Sequence, residues 1–166
     1  EPCLEATTFF DPPDFNYPSG SQIAIVEIDE DSGELEIKRF VAVSDVGTIG
    51  NPMVIEGQVH GGIVHGLGQA LFEGAIYDRD GHLVSDTLET YALPKAEGLP
   101  HFELDFVMTP TPHNPLGSKG AGEVGTVGAA AAIGNAICDA LRDYGVKHVD
   151  MPFTPEKLWR AMHSAE

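Results

Sequence analysis

The sequence predicts an α+β fold, with an antiparallel hairpin and short strands joined to two long buried helices. Apolar and polar residues alternate over residues 22–29 and 34–46, as they do in strands with one buried face. Two later segments, residues 53–72 and 124–141, are long and almost free of charge, which is typical of buried helices. A chain of 166 residues with 42% hydrophobic content is large enough to form a core.

The hairpin is predicted from the turn between the two alternating segments. The sequence DSG at residues 31–33 combines turn-forming side chains with a glycine that suits the left-handed position. The acidic residues around this turn are expected to form a solvated tip. The alternation slips at residues 38–39, which predicts a β-bulge there.

A capping signal opens the first long helix. Asn51 is a preferred N-cap, and Pro52 suits the first helical position. The glycines at positions 57, 61, 62, 66 and 68 each cost about 1 kcal/mol relative to alanine, so either tight helix packing or the approach of a bulky cofactor is expected to offset them. Apolar residues recur at four-residue intervals on one face of this helix, at Val59, Ile63, Leu67 and Leu71.

Prolines and glycines divide the rest of the chain into shorter elements. A short hairpin over residues 76–83 and a strand over residues 102–108 are predicted from alternation. Residues 1–21 predict an extended arm that docks on an apolar surface through Phe9, Phe10 and Phe15. A C-terminal helix is predicted to start at Thr154 and Pro155 and to bury Leu158, Trp159 and Met162.

Composition argues against several classes of function. The 26 acidic and 9 basic residues give a net charge of −17, which disfavours sequence-independent binding to nucleic acid or anionic lipid. The two cysteines form no disulfide framework, and Cys138 lies in an apolar run that predicts a core position. His60 and His65 point about 140° apart on a helix, so no metal ligand is predicted. Without a signal peptide or a long apolar run, a cytoplasmic location is expected.

The two long apolar segments also predict a need for further protein. A helix that is apolar on every face is stable only when neighbours cover it on all sides. A chain of this size can hardly cover two such helices, and it begins at Glu1 rather than at methionine. We therefore expect residues 1–166 to be part of something larger, completed by an upstream segment or a partner chain.

The strongest indication of chemistry is a glycine-rich turn at the start of the second long helix. The sequence GSKGAGEVGTVG, residues 117–128, places Glu123 where the first N–H groups of a helix lack intrahelical partners. Glycines allow a ligand to approach the backbone, and such helix ends bind anions, so Glu123 could act as a base beside a bound oxyanion. The helix dipole alone also favours an acid at this position, which leaves a purely structural role open.

The same turn allows a second interpretation, as a nucleotide-binding loop. Gly120, Gly122 and Gly125 match the pattern G-x-G-x-x-G, and Asp150 could be the ribose-binding acid after residues 145–149. Such a motif should follow its strand directly, whereas the predicted strand ends about a dozen residues earlier. An NAD(P)-binding oxidoreductase domain is therefore disfavoured but stays open.

Several blocks of sequence occur in a characteristic order. They are YPSG at 17–20, DSG at 31–33, DVG at 45–47, NP at 51–52, GQVHGGIVHGLGQAL at 57–71, SKGAGEVG at 118–125 and MPFTPEKLW at 151–159. In this order they resemble the C-terminal part of the molybdopterin-binding large subunit of molybdenum hydroxylases. That family includes xanthine dehydrogenase, aldehyde oxidase and the carbon monoxide dehydrogenase large chain. The resemblance covers nearly the whole chain.

The resemblance implies roles for individual residues. Glu123 would be the active-site base, which takes the proton from a molybdenum-bound hydroxyl as that oxygen attacks an electrophilic carbon. Gln58, an amide in an otherwise apolar turn that needs hydrogen-bond partners, would lie near the pterin cofactor. Backbone contacts to the same cofactor would come from Ser118, Lys119, Gly120, Ala121 and Gly122.

The resemblance also implies an activity, cofactors and partners. The activity would be oxidation of an aldehyde, an N-heterocycle or carbon monoxide with water-derived oxygen. The cofactor would be molybdenum–molybdopterin in its cytosine dinucleotide form. Iron–sulfur clusters and FAD would lie on partner chains or domains, and the partners would be the rest of the large subunit and the iron–sulfur and FAD subunits. A non-catalytic structural or assembly module of the same fold stays open.

Overall fold

In the computed structural model, which describes residues 3–163, the predicted hairpin is formed by β1 (Ser19–Ile28) and β2 (Leu35–Asp45). The two strands are antiparallel, and their register shifts between Ile25 and Val26. Lys38 is the extra residue opposite this shift, so the bulge predicted at residues 38–39 is confirmed. β1 begins three residues earlier than the alternation indicated.

A third strand, β3 (Phe102–Phe106), extends the sheet in the order β1-β2-β3. It lies parallel to β2 and pairs Phe102 with Phe40, whose rings meet edge to face at a centroid distance of 5.7 Å. This strand confirms the prediction for residues 102–108, although it ends two residues sooner. The short hairpin at residues 76–83 is reduced to a single antiparallel bridge between Tyr77 and Leu83.

The two long helices are α1 (Pro52–Leu71) and α2 (Val124–Ala140). The Asn51 side chain caps α1 by accepting a hydrogen bond from the Val54 N–H at 3.3 Å, so the predicted cap is confirmed. α1 packs against α2, and α2 packs against β1. Consequently α2 lies between the other long helix and the hairpin, and its first turn is held from both sides.

Glycines set the close approach of α1 and α2. A Cβ atom on Gly66 would lie 2.7 Å from Cβ of Ala129, and one on Gly125 would lie 2.4 Å from the Val59 carbonyl oxygen. Gly57 and Gly61 have no atom of the described chain within 4 Å of a Cβ position. Tight helix packing therefore accounts for some of the glycines, whereas others border open space.

The core lies between the inner face of the sheet and the two long helices. The four apolar residues predicted on one face of α1 are all buried there. The largest fully buried side chains are Phe40, Ile63, Leu67, Ile133, Ile137, Leu141, Leu158, Val46 and Val59.

Neither long helix is covered on every side within the described chain. On α1, Met53 is 76% exposed, and on α2, Val127 is 74% exposed. The side chains of Ile23 and Ile25 on the outer face of β1 are also exposed. Among the described helices, none has both the length and the hydropathy that a membrane crossing requires.

The C-terminal helix α3 (Pro155–His163) forms where it was predicted, but one of the three residues predicted to be buried on it is not. Leu158 and Met162 are buried, whereas Trp159 is 40% exposed and stacks on the His163 ring at 4.3 Å. The N-terminus of α3 lies against the hairpin tip at Gly33, where φ is +75° and a Cβ would meet the α3 backbone. Leu158 and Met162 are four residues apart and define the buried face, from which Trp159 is turned away.

Two further predictions about apolar residues are wrong within this chain. Phe9, Phe10 and Phe15 of the N-terminal arm are 96%, 60% and 80% exposed, so they do not dock on the described core. Cys138 is half-buried and lines a groove beside α2, and it is therefore not a core residue. Residues 145–149, which precede the Asp150 of the nucleotide-binding interpretation, form no strand.

Candidate active site

Glu123 occupies the N-cap position of α2. Its carbonyl oxygen accepts hydrogen bonds from the N–H groups of Thr126 and Val127 at 3.0 and 3.1 Å, which closes the first turn. Its side chain makes no capping bond to the described helix, and the residue is exposed. The backbone of Glu123 is thus held in place while its carboxylate stays available to a ligand.

The glycine-rich turn forms one wall of a cleft of about 540 Å³. The opposite wall is the segment that leads into β1, where Pro18 comes within 4.0 Å of a Cβ position on Gly120. Since Gly120, Ala121 and Gly122 carry little or no side chain, the cleft exposes backbone beside Glu123. The lining residues are Asn16, Tyr17, Pro18, Ser19, Gly20, Gln22, Gly120, Ala121, Gly122, Glu123, Val124, Val127 and Gly128.

Gln22 connects the hairpin to the first turn of α2. Its side-chain Nε2 donates hydrogen bonds to the carbonyl oxygens of Val124 and Gly125, at 3.1 and 2.9 Å. Its Oε1 atom is buried and has no hydrogen-bond partner among residues 3–163. Sequence reasoning missed this residue, although a polar side chain at an inward-facing position of β1 was a signal that could have found it.

Gln58 reaches the same turn from α1. Its Nε2 donates a hydrogen bond to the Gly122 carbonyl oxygen at 2.8 Å, although the side chain is exposed. The structure therefore brings Gln58 to the turn that precedes Glu123. Gln22 and Gln58, from two different elements, hold carbonyl groups on either side of the predicted base.

Ser118 and Lys119 face away from the cleft and fix the turn to the loop that follows β2. The Ser118 hydroxyl donates to the Thr48 carbonyl oxygen at 2.9 Å, and the Lys119 N–H donates to the Val46 carbonyl oxygen at 2.8 Å. Of the residues predicted to hold a cofactor, Gly120, Ala121 and Gly122 line the cleft with Glu123, whereas Gln58, Ser118 and Lys119 do not.

Asp45, at the end of β2, anchors this arrangement. Its Oδ1 atom accepts hydrogen bonds from the N–H groups of Gly47 and Thr109, and its Oδ2 atom accepts one from Nζ of Lys119. The hydrogen bond from Gly47, supported by those from Thr109 and Lys119, holds the pKa of the Asp45 carboxyl well below its ordinary value. The charged form of Asp45 is therefore the form that fixes the turn.

The geometry is that of a cleft that could bind a ligand beside an available acid. An available carboxylate stands beside exposed glycine backbone in an open cleft, and hydrogen bonds from three other segments fix the turn that carries both. The profile of the molybdopterin cofactor-binding domain matches residues 1–100, and the chain belongs to this family. The resemblance inferred from the order of the sequence blocks is thereby confirmed.

Known relatives are similar in sequence to almost the whole of this chain. The carbon monoxide dehydrogenase large chain of Hydrogenophaga pseudoflava is 43% identical over 162 residues, which are 98% of this chain and 20% of that protein. The nicotine 6-hydroxylase large subunit of Paenarthrobacter nicotinovorans is 38% identical over 161 residues, 97% of this chain and 20% of that protein.

A solved structure confirms the fold. The reconstituted carbon monoxide dehydrogenase from Oligotropha carboxidovorans aligns with a TM-score of 0.91 at 37% identity, covering 95% of this chain and 20% of that one. This chain therefore spans about a fifth of the length of the relatives it matches. The α+β fold predicted from the sequence is the fold of the corresponding part of that structure.

Proposed function

We propose that this chain is the C-terminal part of the catalytic subunit of a molybdenum-dependent hydroxylase, completed by the remainder of the large subunit. In this proposal the enzyme oxidises a carbon centre with oxygen derived from water, and Glu123 is its base. The observation that carries the proposal is the position of Glu123. It stands at the mouth of α2, in the cleft lined by Gly120, Ala121 and Gly122.

The residues of the cleft fit a molybdopterin cofactor. Gly120 and Gly122 are exposed and line the cleft, and a Cβ on Gly122 would meet no atom of residues 3–163 within 4 Å. When bound, the molybdenum–molybdopterin group would supply the two-electron oxidation, and residues 120–122, supported by the hydrogen bond from Gln58, would hold it.

The role of Glu123 is to accept and hold a proton. The positive end of the α2 dipole favours a carboxylate anion at this position, and the exposed side chain can turn toward a ligand in the cleft. As the substrate carbon is oxidised, the water-derived oxygen gives up a proton, which Glu123 accepts at a carboxylate oxygen. General-base assistance of this kind is typically worth about 10²- to 10⁴-fold in rate.

The finer features of the proposal concern substrate, cofactor form and partners. The substrate class is an aldehyde, an N-heterocycle or carbon monoxide, and relatives named for carbon monoxide and nicotine support this range. We place iron–sulfur clusters and FAD on partner chains or domains, because the two cysteines of this chain cannot ligate a cluster. The cofactor form proposed is the cytosine dinucleotide.

The test is a Glu123→Gln substitution in the complete enzyme. Glutamine keeps the size of the side chain but cannot accept the proton. We expect an unchanged molybdenum content per subunit and a fall in kcat of about 10²- to 10⁴-fold. The matched control is Glu89→Gln, which changes an exposed acid that does not line the cleft. Undiminished turnover of Glu123→Gln would exclude Glu123 as the base.

A further inference from the structure

We infer that Gln22 is a positioning residue for Glu123, and that it acts through its hydrogen bonds to the first turn of α2. This inference rests on the proposed function, because it assigns Gln22 a role toward the base named there. Gln22 lines the same cleft as Glu123 but belongs to β1, which is more than a hundred residues away in sequence.

The contact is specific in its geometry. The side-chain N–H groups of Gln22 reach two successive carbonyl oxygens, those of Val124 and Gly125, which directly follow Glu123 in the chain. A Cβ atom on Gly128 would lie 2.8 Å from Cδ of Gln22, so glycine at that position leaves the space that the amide fills. The next turn of α2 is thus shaped to admit the Gln22 side chain.

The orientation of the amide shows which of its groups matters. If the amide were reversed, Oε1 would face two carbonyl oxygens, so the observed orientation is the only one that forms these bonds. It leaves Oε1 buried without a partner in the described part of the chain, which is unfavourable. A methionine would fill the same space without that penalty, and the two donated hydrogen bonds are therefore what glutamine adds.

The position of Glu123 depends on this turn. Its side chain forms no capping bond with the described helix, so its carboxylate is placed by the backbone alone. That backbone is fixed by the Thr126 and Val127 N–H groups. The Thr126 N–H shares a peptide unit with the Gly125 carbonyl that Gln22 holds, and the Val127 N–H belongs to the next unit. Loss of the two hydrogen bonds from Gln22 shifts the carboxylate, and a displacement of about 1 Å can reduce a rate by about 10²-fold.

The experiment compares Gln22→Met with the wild type in the complete enzyme. We expect kcat per molybdenum to fall about tenfold to hundredfold, with KM and molybdenum content unchanged. Independently of turnover, hydrogen exchange at the amides of residues 126–129 should become faster in Gln22→Met. Gln22→His, whose ring N–H can donate one hydrogen bond, should recover part of kcat. Gln69→Met, at an exposed glutamine of α1, is the control and should behave as wild type.

Gly128→Ala provides a second variant that leaves Gln22 itself intact. Its new methyl group displaces the Gln22 amide, so the same loss of kcat per molybdenum is expected although alanine favours the helix. Wild-type kcat and wild-type exchange in both variants would overturn the inference. Activity that falls only in proportion to molybdenum content would also overturn it, because that is the result of a merely structural role. Full activity of Glu123→Gln, in contrast, would remove the proposed function itself.

Discussion

Lys119 and Asp45 form an ion pair in which Nζ of the lysine lies 3.0 Å from Oδ2 of the aspartate, with 15% and 12% of the two side chains exposed. The remaining carboxylate oxygen binds the N–H groups of Gly47 and Thr109. One side chain therefore joins the end of β2, the segment after β3 and the turn that leads to Glu123. When one partner of such a sheltered pair is removed, the other is left with an unsatisfied charge.

Lys119→Met should therefore impair the site without touching the cleft. The substitution keeps much of the side-chain volume but removes the cation, which frees the turn to shift relative to β2. We expect a lower unfolding temperature and a fall in kcat per molybdenum of about tenfold to hundredfold in the complete enzyme. Steady-state kinetics with molybdenum analysis provides the measurement.

The control for this variant is Lys95→Met, which changes an exposed lysine in a loop. Adding Asp45→Asn to Lys119→Met should cause less loss than the sum of the two single substitutions, because the pair acts as a unit. Strict additivity of the two effects would show that the ion pair does not couple the two loops.

The lowered pKa of Asp45 predicts a pH dependence of stability. A carboxyl whose pKa is lower in the folded than in the unfolded state stabilises the fold above its unfolded pKa, and this contribution is lost as pH falls through the folded pKa. The difference in unfolding temperature between wild type and Asp45→Asn should be constant from neutral pH to about pH 4 and shrink below it. Thermal unfolding of both proteins across this range is the measurement. A difference that varies near neutral pH would contradict the assignment.

The contact between α1 and α2 predicts opposite effects for two glycines. In Gly125→Ala, the added Cβ meets the Val59 carbonyl oxygen at 2.4 Å, and neither backbone can yield easily. We expect a loss of about 1–3 kcal/mol in the free energy of unfolding. Gly61→Ala is the matched control, since nothing in the described chain lies within 4 Å of its Cβ and alanine favours the helix. Chemical denaturation of both variants checks the prediction, and equal stability losses would refute it.

The elements of this fold were predictable because their signals are local. The Asn51–Pro52 cap, the alternation of the hairpin and the four-residue spacing of α1 each act within a few residues. The parallel pairing of β3 with β2 was not predictable, because no local pattern in a five-residue strand specifies its neighbour. The prediction that Trp159 is buried was wrong for a similar reason, since only tertiary contacts decide where the buried face of α3 ends.

The candidate site also has features that local sequence predicts and features that depend on distant residues. The pattern of glycines around one acid predicted the turn that carries Glu123, and the structure places that turn in a cleft. Gln22 and Asp45 were missed because their partners lie 103 and 74 residues further along the chain. The side chains of Ser118 and Lys119 face β2 and its loop, which residue type alone could not indicate. Their backbone contacts to a cofactor remain a prediction.

Gln58 offers a final prediction, on cofactor retention rather than on turnover. Its amide supports the Gly122 carbonyl at 2.8 Å, next to the residue that carries the base. Gln58→Met removes this hydrogen bond, which is worth about 0.5–1.5 kcal/mol, so we expect cofactor to be retained about 2- to 10-fold less well. Gln58→Glu should lose more, because a carboxylate would face the Gly122 carbonyl oxygen.

The measurement is molybdenum content per subunit during prolonged dialysis of the complete enzyme, with Gln69→Met on the same helix as the control. The comparison of the two Gln58 variants is decisive. Methionine leaves the Gly122 carbonyl oxygen without its hydrogen bond, whereas glutamate also repels it. If both variants retain molybdenum as the control does, Gln58 takes no part in holding the turn around the cofactor. A graded loss, larger for glutamate than for methionine, would show that the bond to Gly122 is what shapes this wall of the cleft.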